Sequence, residues 1–152
     1  VLRQTELSSL ESHLGYWIRY VSNHVSHAFA LKLAAVGVTV AEWVVLRELY
    51  DSGSAPSALA DRLGMTRGAI SKLADRLIDK ELIVRRASAG DRRFQSLALT
   101  RLGRAITPKL AVLADENDQE FFADLDIGTR AAITAAMKAI VRSKGLRGAP
   151  VD

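Results

Sequence analysis

The 152 residues include no cysteine. Disulfides, thiolate metal sites and cysteine-based redox sensing are therefore excluded, which fits a reducing compartment. No apolar run approaches the ~18 residues that a membrane helix needs, and no signal-peptide pattern is visible. The expectation is a cytoplasmic protein with no membrane partner. Internal repeats and low-complexity segments are also lacking. So are a phosphate loop, a nucleophile elbow, a paired-histidine zinc motif and a dinucleotide fingerprint, which leaves nothing in favour of an enzyme or of a bound cofactor.

What is present is ordinary in amount and uneven in placement. With 49% apolar and 25% charged residues, a chain of this length can bury a core of its own, and one globular unit is expected. The formal charge is +4. Residues 62–104 hold 11 basic side chains against 4 acidic ones, a net +7, so that the remainder carries −3. A basic block in mid-chain is the electrostatic footprint expected of a phosphate-binding surface, although a solvated charged face has the same composition.

Periodicity divides the chain into helices at both ends and a mixed centre. Leu10, Leu14, Trp17, Val21, Val25 and Ala28 recur at spacings of three and four and predict one long helix over residues 8–33, capped by Ser8 or Ser9 and ended by Gly37. A second helix is expected over 40–50, burying Trp43, Val44 and Leu46, before a Ser-Gly-Ser turn. Pro56 suits the first turn of a short third helix over 57–63, because its missing N–H would have no partner there. Gly64 stops that helix, and Thr66 caps a fourth over 67–80 with Ile70, Leu73, Ala74 and Leu77 on its apolar face. The period then falls to two, with Leu82 and Val84 on one side of a first strand and Leu97 and Leu99 on one side of a second. Between them residues 87–91 form a Gly-containing turn. Helical spacing returns with Leu102, Ile106, Leu110 and Leu113, and again with Ile133, Ala136, Met137, Ile140 and Val141. The tail from residue 145 is expected to be loose.

Two short helices joined by a glycine turn are the sequence form of a helix-turn-helix. Ala60 allows close helix approach, Gly64 can take the positive φ of the turn, and Ile70 fills the wedge. In such a motif the second helix enters the major groove with its N-terminal residues near base edges. Its outward positions are Arg67, Gly68, Ser71, Lys72 and Arg76, with Thr66 at its cap and Ser57 at the start of the preceding helix. Arg67 suits bidentate contact to guanine, Ser71 base or phosphate, and Lys72 and Arg76 phosphates. At the hairpin tip, Arg92 and Arg93 follow Gly90-Asp91. A guanidinium on so narrow a tip can enter the minor groove, and Asp91 can hold it extended.

Asp91-x-Arg93 followed by Leu97-Ala98-Leu99-Thr100 resembles the wing signature of the MarR (multiple antibiotic resistance regulator) family. Leu59-Ala60-Asp61-Arg62-Leu63-Gly64 and Ser71-Lys72-Leu73-Ala74-Asp75-Arg76-Leu77 resemble its helix-turn-helix, and the element order agrees along nearly the whole chain. Lys80-Glu81-Leu82 stands where that family commonly has a Lys-Gly-Leu ending. The resemblance implies a mainly α fold with a small β-wing, a winged helix-turn-helix whose terminal helices form a dimerisation region. Within a single domain, residues 1–35 and 101–145 would form the dimerisation region and 36–100 the DNA-binding region. It also implies a homodimer, a recognition helix in the major groove, a wing arginine in the minor groove, and a ligand cleft between dimer region and reading head.

The apolar stripes of the first, fifth and sixth helices exceed what a reading head could cover, so a second copy is the natural partner. His13, Tyr16, Tyr20, His24 and His27 form a second stripe on the first helix. Of these, His13, Tyr20 and His24, together with Trp17 and Trp43, could line a cleft for a small aromatic or phenolic effector. A wet dimer seam or plain helix packing would use the same residues. His24 and His27 share a face, but no third ligand is tied to them by local sequence, and no metal is expected. The function expected is that of a sequence-specific, ligand-responsive repressor acting as a homodimer on double-stranded DNA at an inverted repeat. The competing expectation is a non-specific architectural nucleic-acid-binding protein, steeply salt-dependent.

Overall fold

The computed structural model describes residues 6–88 and 91–151; the side chains of residues 88 and 91–94 are outside the described set. Among the described residues, six α-helices frame one two-stranded antiparallel ribbon. The fold is a winged helix-turn-helix carried between terminal helices.

Helix α1 (Leu14–Ala34) follows a separate 3-10 turn, Leu10–Ser12. The single helix expected over 8–33 is thus broken at His13, whose backbone is extended (φ −92°, ψ 123°). Neither Ser8 nor Ser9 caps α1. The Ser9 carbonyl instead accepts from the Ser12 hydroxyl at 2.7 Å and lies 2.9 Å from His13 Nδ1, local bonds that compete with helix continuation. Trp17 Nε1 donates to the Glu11 carbonyl at 2.9 Å and ties the turn to α1.

Helix α2 (Val40–Asp51) starts with a capping box: Thr39 Oγ1 accepts from the Glu42 N–H and Glu42 Oε2 accepts from the Thr39 N–H, both at 3.1 Å. Its buried face is Glu42, Val45, Leu46 and Leu49. Trp43 and Val44, expected to be buried, are half-buried. Helix α3 (Pro56–Leu63) has Pro56 in its first turn and ends at Gly64, which is left-handed at φ +62°. Thr66 Oγ1 then accepts from the Ala69 N–H at 3.1 Å and caps α4 (Arg67–Asp79). All four expected apolar residues of α4, Ile70, Leu73, Ala74 and Leu77, are buried.

Strands β1 (Ile83–Ser88) and β2 (Asp91–Leu99) pair with Ile83 opposite Leu99 and Arg85 opposite Leu97. Directly opposite residues share a face, so the buried side of β1 begins at Ile83 and not at Val84, which is half-buried. The expected pairing of Leu82 with Val84 fails because Glu81 is left-handed at φ +60° and redirects the chain before the strand starts. Leu82 is buried from this turn. Ser54 adds one further bridge to the ribbon, exchanging backbone hydrogen bonds with Leu97 at 3.0 and 2.7 Å.

Thr100 caps α5 (Arg101–Phe122), and Asp126 caps α6 (Ile127–Lys144). Hydrogen bonds from the backbone N–H and hydroxyl of Thr129 hold the Asp126 carboxyl below its ordinary pKa. The buried core draws on α2, α3, α4 and the ribbon, with Leu33 from α1 and Leu110 from α5. Helix α6 contributes no buried residue. The tail after α6 is not loose: Gly145 ends the helix at φ +60°, Leu146 N–H returns to the Val141 carbonyl, and Ala149 N–H donates to the Leu63 carbonyl at 2.7 Å. Backbone hydrogen bonding to the end of α3 overrides the general tendency of chain termini to be loose.

Candidate nucleic-acid interface

The geometry begins with the turn between α3 and α4. Ala60 is 2% exposed and Ile70 1%, so both are sealed between the helices. Anchored by that wedge, α4 turns Thr66, Arg67, Gly68, Ser71, Lys72 and Arg76 to solvent. These residues recur at spacings of one, three and four on the side opposite Ile70, Leu73, Ala74 and Leu77. The helix N-terminus, whose free N–H groups favour anions, lies at the Arg67 end. Ser57, in the first turn of α3, is half-buried.

The basic block identified in the sequence separates into cations used internally and cations left outward. Arg62 is committed to Glu48 at 3.2 Å and to Ser54 Oγ at 3.2 Å. Arg85 pairs with Asp75 at 2.8 Å. Arg104 donates to the Tyr50 carbonyl and stacks over the Tyr50 ring. Lys80 donates to Glu42 Oε2 and to the Gly37 carbonyl, both at 2.7 Å, and fastens the end of α4 to the start of α2. Arg67, Lys72 and Arg76 make no ion pair among the described residues. The side chains of Asp91, Arg92 and Arg93 lie outside the described residues; the backbone places them at the ribbon end remote from the core.

The residues named for an effector cleft are not gathered in one place. A cavity of about 270 Å³ lies between α1, α2 and α5, lined by Val25, Ser26, Phe29, Val40, Trp43, Val44, Asn117 and Pro150. Of the five, Trp43 lines it, in edge contact with Phe29. His13, Trp17, Tyr20 and His24 run along the exposed side of α1, where Tyr20 stacks on His24 at 5.2 Å between centroids. Asn117, absent from the sequence reading, is 4% exposed; its Nδ2 donates to the Val25 carbonyl and its Oδ1 accepts from Lys32 Nζ at 3.0 Å. Among the described residues no group of three or more His, Cys, Asp and Glu could hold a metal, and no helix is long and apolar enough to cross a membrane.

Residues 36–93, which contain α2, α3, α4 and β1, match the MarR family. A structure of a point mutant of MarR from E. coli complexed with operator DNA superposes with TM-score 0.75 at 25% identity, covering 84% of this chain and 93% of that one. Over residues 36–93 the chain is similar to the MarR family, and its fold is that of the E. coli MarR structure. The proteins it matches are regulators of transcription, one of them solved on operator DNA. A Thauera aromatica protein whose assigned role is transcriptional regulation of the hcr operon is 29% identical over 136 residues, covering 88% of this chain and 82% of its own length. CouR from Rhodococcus jostii RHA1, solved bound to p-coumaroyl-CoA, has a similar fold, with TM-score 0.77 at 22% identity over 88% of this chain and 95% of that one.

Sequence reasoning missed three parts of this winged helix-turn-helix. Glu42 was visible as the fourth residue of Thr39-x-x-Glu42, the capping-box spacing, but nothing local announces that Lys80 reaches it from 38 residues away. The internal use of Arg62, Arg85 and Arg104 depends on partners from other elements. The docking of the tail on Leu63 and Gly64 has no sequence signal beyond the glycine at 148.

Proposed function

We propose that the chain is a homodimeric, ligand-responsive repressor that binds an inverted-repeat operator. The observation that carries this reading is the outward face of α4, where Arg67, Lys72 and Arg76 stand exposed while neighbouring cations are consumed by internal pairs. On this reading Arg67 contacts a base edge, Ser71 a base or phosphate, and Ser57, Thr66, Lys72 and Arg76 the backbone, with Gly68 permitting close approach. Arg92 and Arg93 serve the minor groove from the wing, with Asp91 orienting them. Residues 36–100 act as reading head, and residues 1–35 with 101–145 as dimerisation region.

The dimer is supported by α6, which leaves Ile133, Met137, Ile140 and Val141 between 38% and 47% exposed, and by Leu10, Leu14, Trp17 and Val21 along the first helical segment. Ligand response is supported by the apolar cavity beside Trp43 with Asn117 as its polar group, and by CouR, a protein of the same fold solved with a phenolic acyl thioester. The exposed row His13, Trp17, Tyr20 and His24 is assigned to the seam between subunits or to a ligand held there.

Selection of genomic fragments by the chain, followed by competition between a recovered fragment and its scrambled version at equal salt, tests the reading. Inverted repeats with half-sites about one helical turn apart are expected. Arg67→Ala should weaken specific binding by roughly tenfold or more and relax preference at one base position. Equal affinity for the scrambled fragment would replace this reading with that of a non-specific architectural protein.

A further inference from the structure

We propose that residues 146–150 form a strap that holds the α3–α4 turn in place and ties it to the mouth of the Trp43 cavity, which makes Gly148 and Ala149 positioning residues for the recognition helix. This rests on the reading that α4 meets DNA.

Three observations converge on the strap. The Ala149 N–H donates to the Leu63 carbonyl at 2.7 Å, filling one of the acceptors that a helix C-terminus leaves without an intrahelical partner. The backbone of Gly148 is packed against Gly64: a Cβ on Gly64 would stand 2.5 Å from Gly148 N and 2.7 Å from its Cα. Gly64 is thus constrained twice, by its left-handed φ and by the chain laid across it. One residue further, Ala149 packs on the core, and Pro150 forms part of the cavity wall with Trp43 and Phe29.

The route into the strap is equally defined. Gly145 and Leu146 return hydrogen bonds to Arg142 and Val141, a Schellman-type ending that sets the exit direction of α6. Since α6 itself buries no residue in the protomer, the strap is a direct link from its end to the α3–α4 turn. It meets that head at the turn that sets how α4 projects. A shift of the cavity wall at Pro150 would pull on the Ala149 to Leu63 bond, two residues from Met65 and three from the cap of α4.

Ala149→Pro removes the donor, whereas Ala149→Gly keeps it. Hydrogen exchange at the Gly64 and Met65 amides should accelerate roughly fivefold in Ala149→Pro, and affinity for a genomic fragment selected by the native chain should fall by a similar factor, as for loss of one hydrogen bond. Ala149→Gly should match the native chain in both, and a chain ending at Gly145 should match Ala149→Pro. Native exchange at the turn in Ala149→Pro or in the shortened chain overturns the strap. Should the native chain select no fragment, the DNA reading fails, and the exchange measurement still decides the strap. With Trp17→Phe, Trp43 is the sole remaining tryptophan; its emission should shift on saturation with the fragment, and Ala149→Pro should abolish that shift. A shift that survives, or none in the parent, overturns the link to the cavity.

Discussion

Two backbone positions carry information that residue type alone conceals. Glu81 holds φ +60°, a conformation costing an L-residue with a Cβ about 1 kcal/mol relative to glycine. The Leu82 N–H bonds to the Leu77 carbonyl across that turn at 2.9 Å, and the Glu81 carbonyl accepts from Thr100 Oγ1 at 2.6 Å. Both bonds belong to the backbone or to Thr100 and survive loss of the Glu81 side chain, so Glu81→Gly should raise stability by up to about 1 kcal/mol in urea unfolding. Gly103 is the opposite case. Its Cα packs against the Leu82 carbonyl so closely that a Cβ would overlap that oxygen, and the same carbonyl already accepts from the Thr100 N–H. Gly103→Ala should therefore cost about 1–3 kcal/mol in the same measurement, with α5 displaced from the ribbon. The helical pattern around Gly103 was readable from Leu102 and Ile106. The close approach was not, since it is made with a residue 21 positions earlier and leaves no periodic trace.

Elements were legible where local chemistry is self-sufficient. Gly64, Thr66 and the Ile70-Leu73-Ala74-Leu77 stripe fix the turn, start and buried side of α4 from within one short segment, and each is found as expected. Where a nearby polar group offers the backbone another partner, the pattern misled: Ser9 and Ser12 close a 3-10 turn and break the first helix at His13. The far end of α4 is set by a long-range pair, Lys80 with Glu42, whose carboxylate is 1% exposed. Removing the cation leaves a buried charge supported by the Thr39 N–H, whereas removing both partners does not. Lys80→Met should destabilise by about 2–3 kcal/mol, less than a fully buried pair because Lys80 is itself partly exposed. Adding Glu42→Gln should recover most of that loss. A double variant no more stable than Lys80→Met would show that Lys80 acts through the Gly37 carbonyl instead.

At the scale of the molecule, the core and the apolar surface are in different places. The core is complete without α6, and the exposed apolar residues are concentrated on α1 and α6, at the opposite ends of the sequence. A charged residue introduced on α6 should therefore leave the protomer folded while spoiling association. Met137→Asp with Ile140→Glu is the variant that separates the two. By light scattering the native chain should weigh twice its 16.5 kDa, and the variant should weigh one chain with an unchanged unfolding midpoint for the reading head. Affinity for a two-half-site fragment should drop by roughly a hundredfold or more, because each head then binds without the effective concentration that its tethered partner supplies. Affinity for a single half-site should be unaltered, since Arg67, Ser71 and Lys72 stand on α4 and α6 buries no residue in the protomer. A monomeric variant that held the full site as tightly as the native chain would mean that one reading head suffices, and the inverted repeat would lose its physical basis.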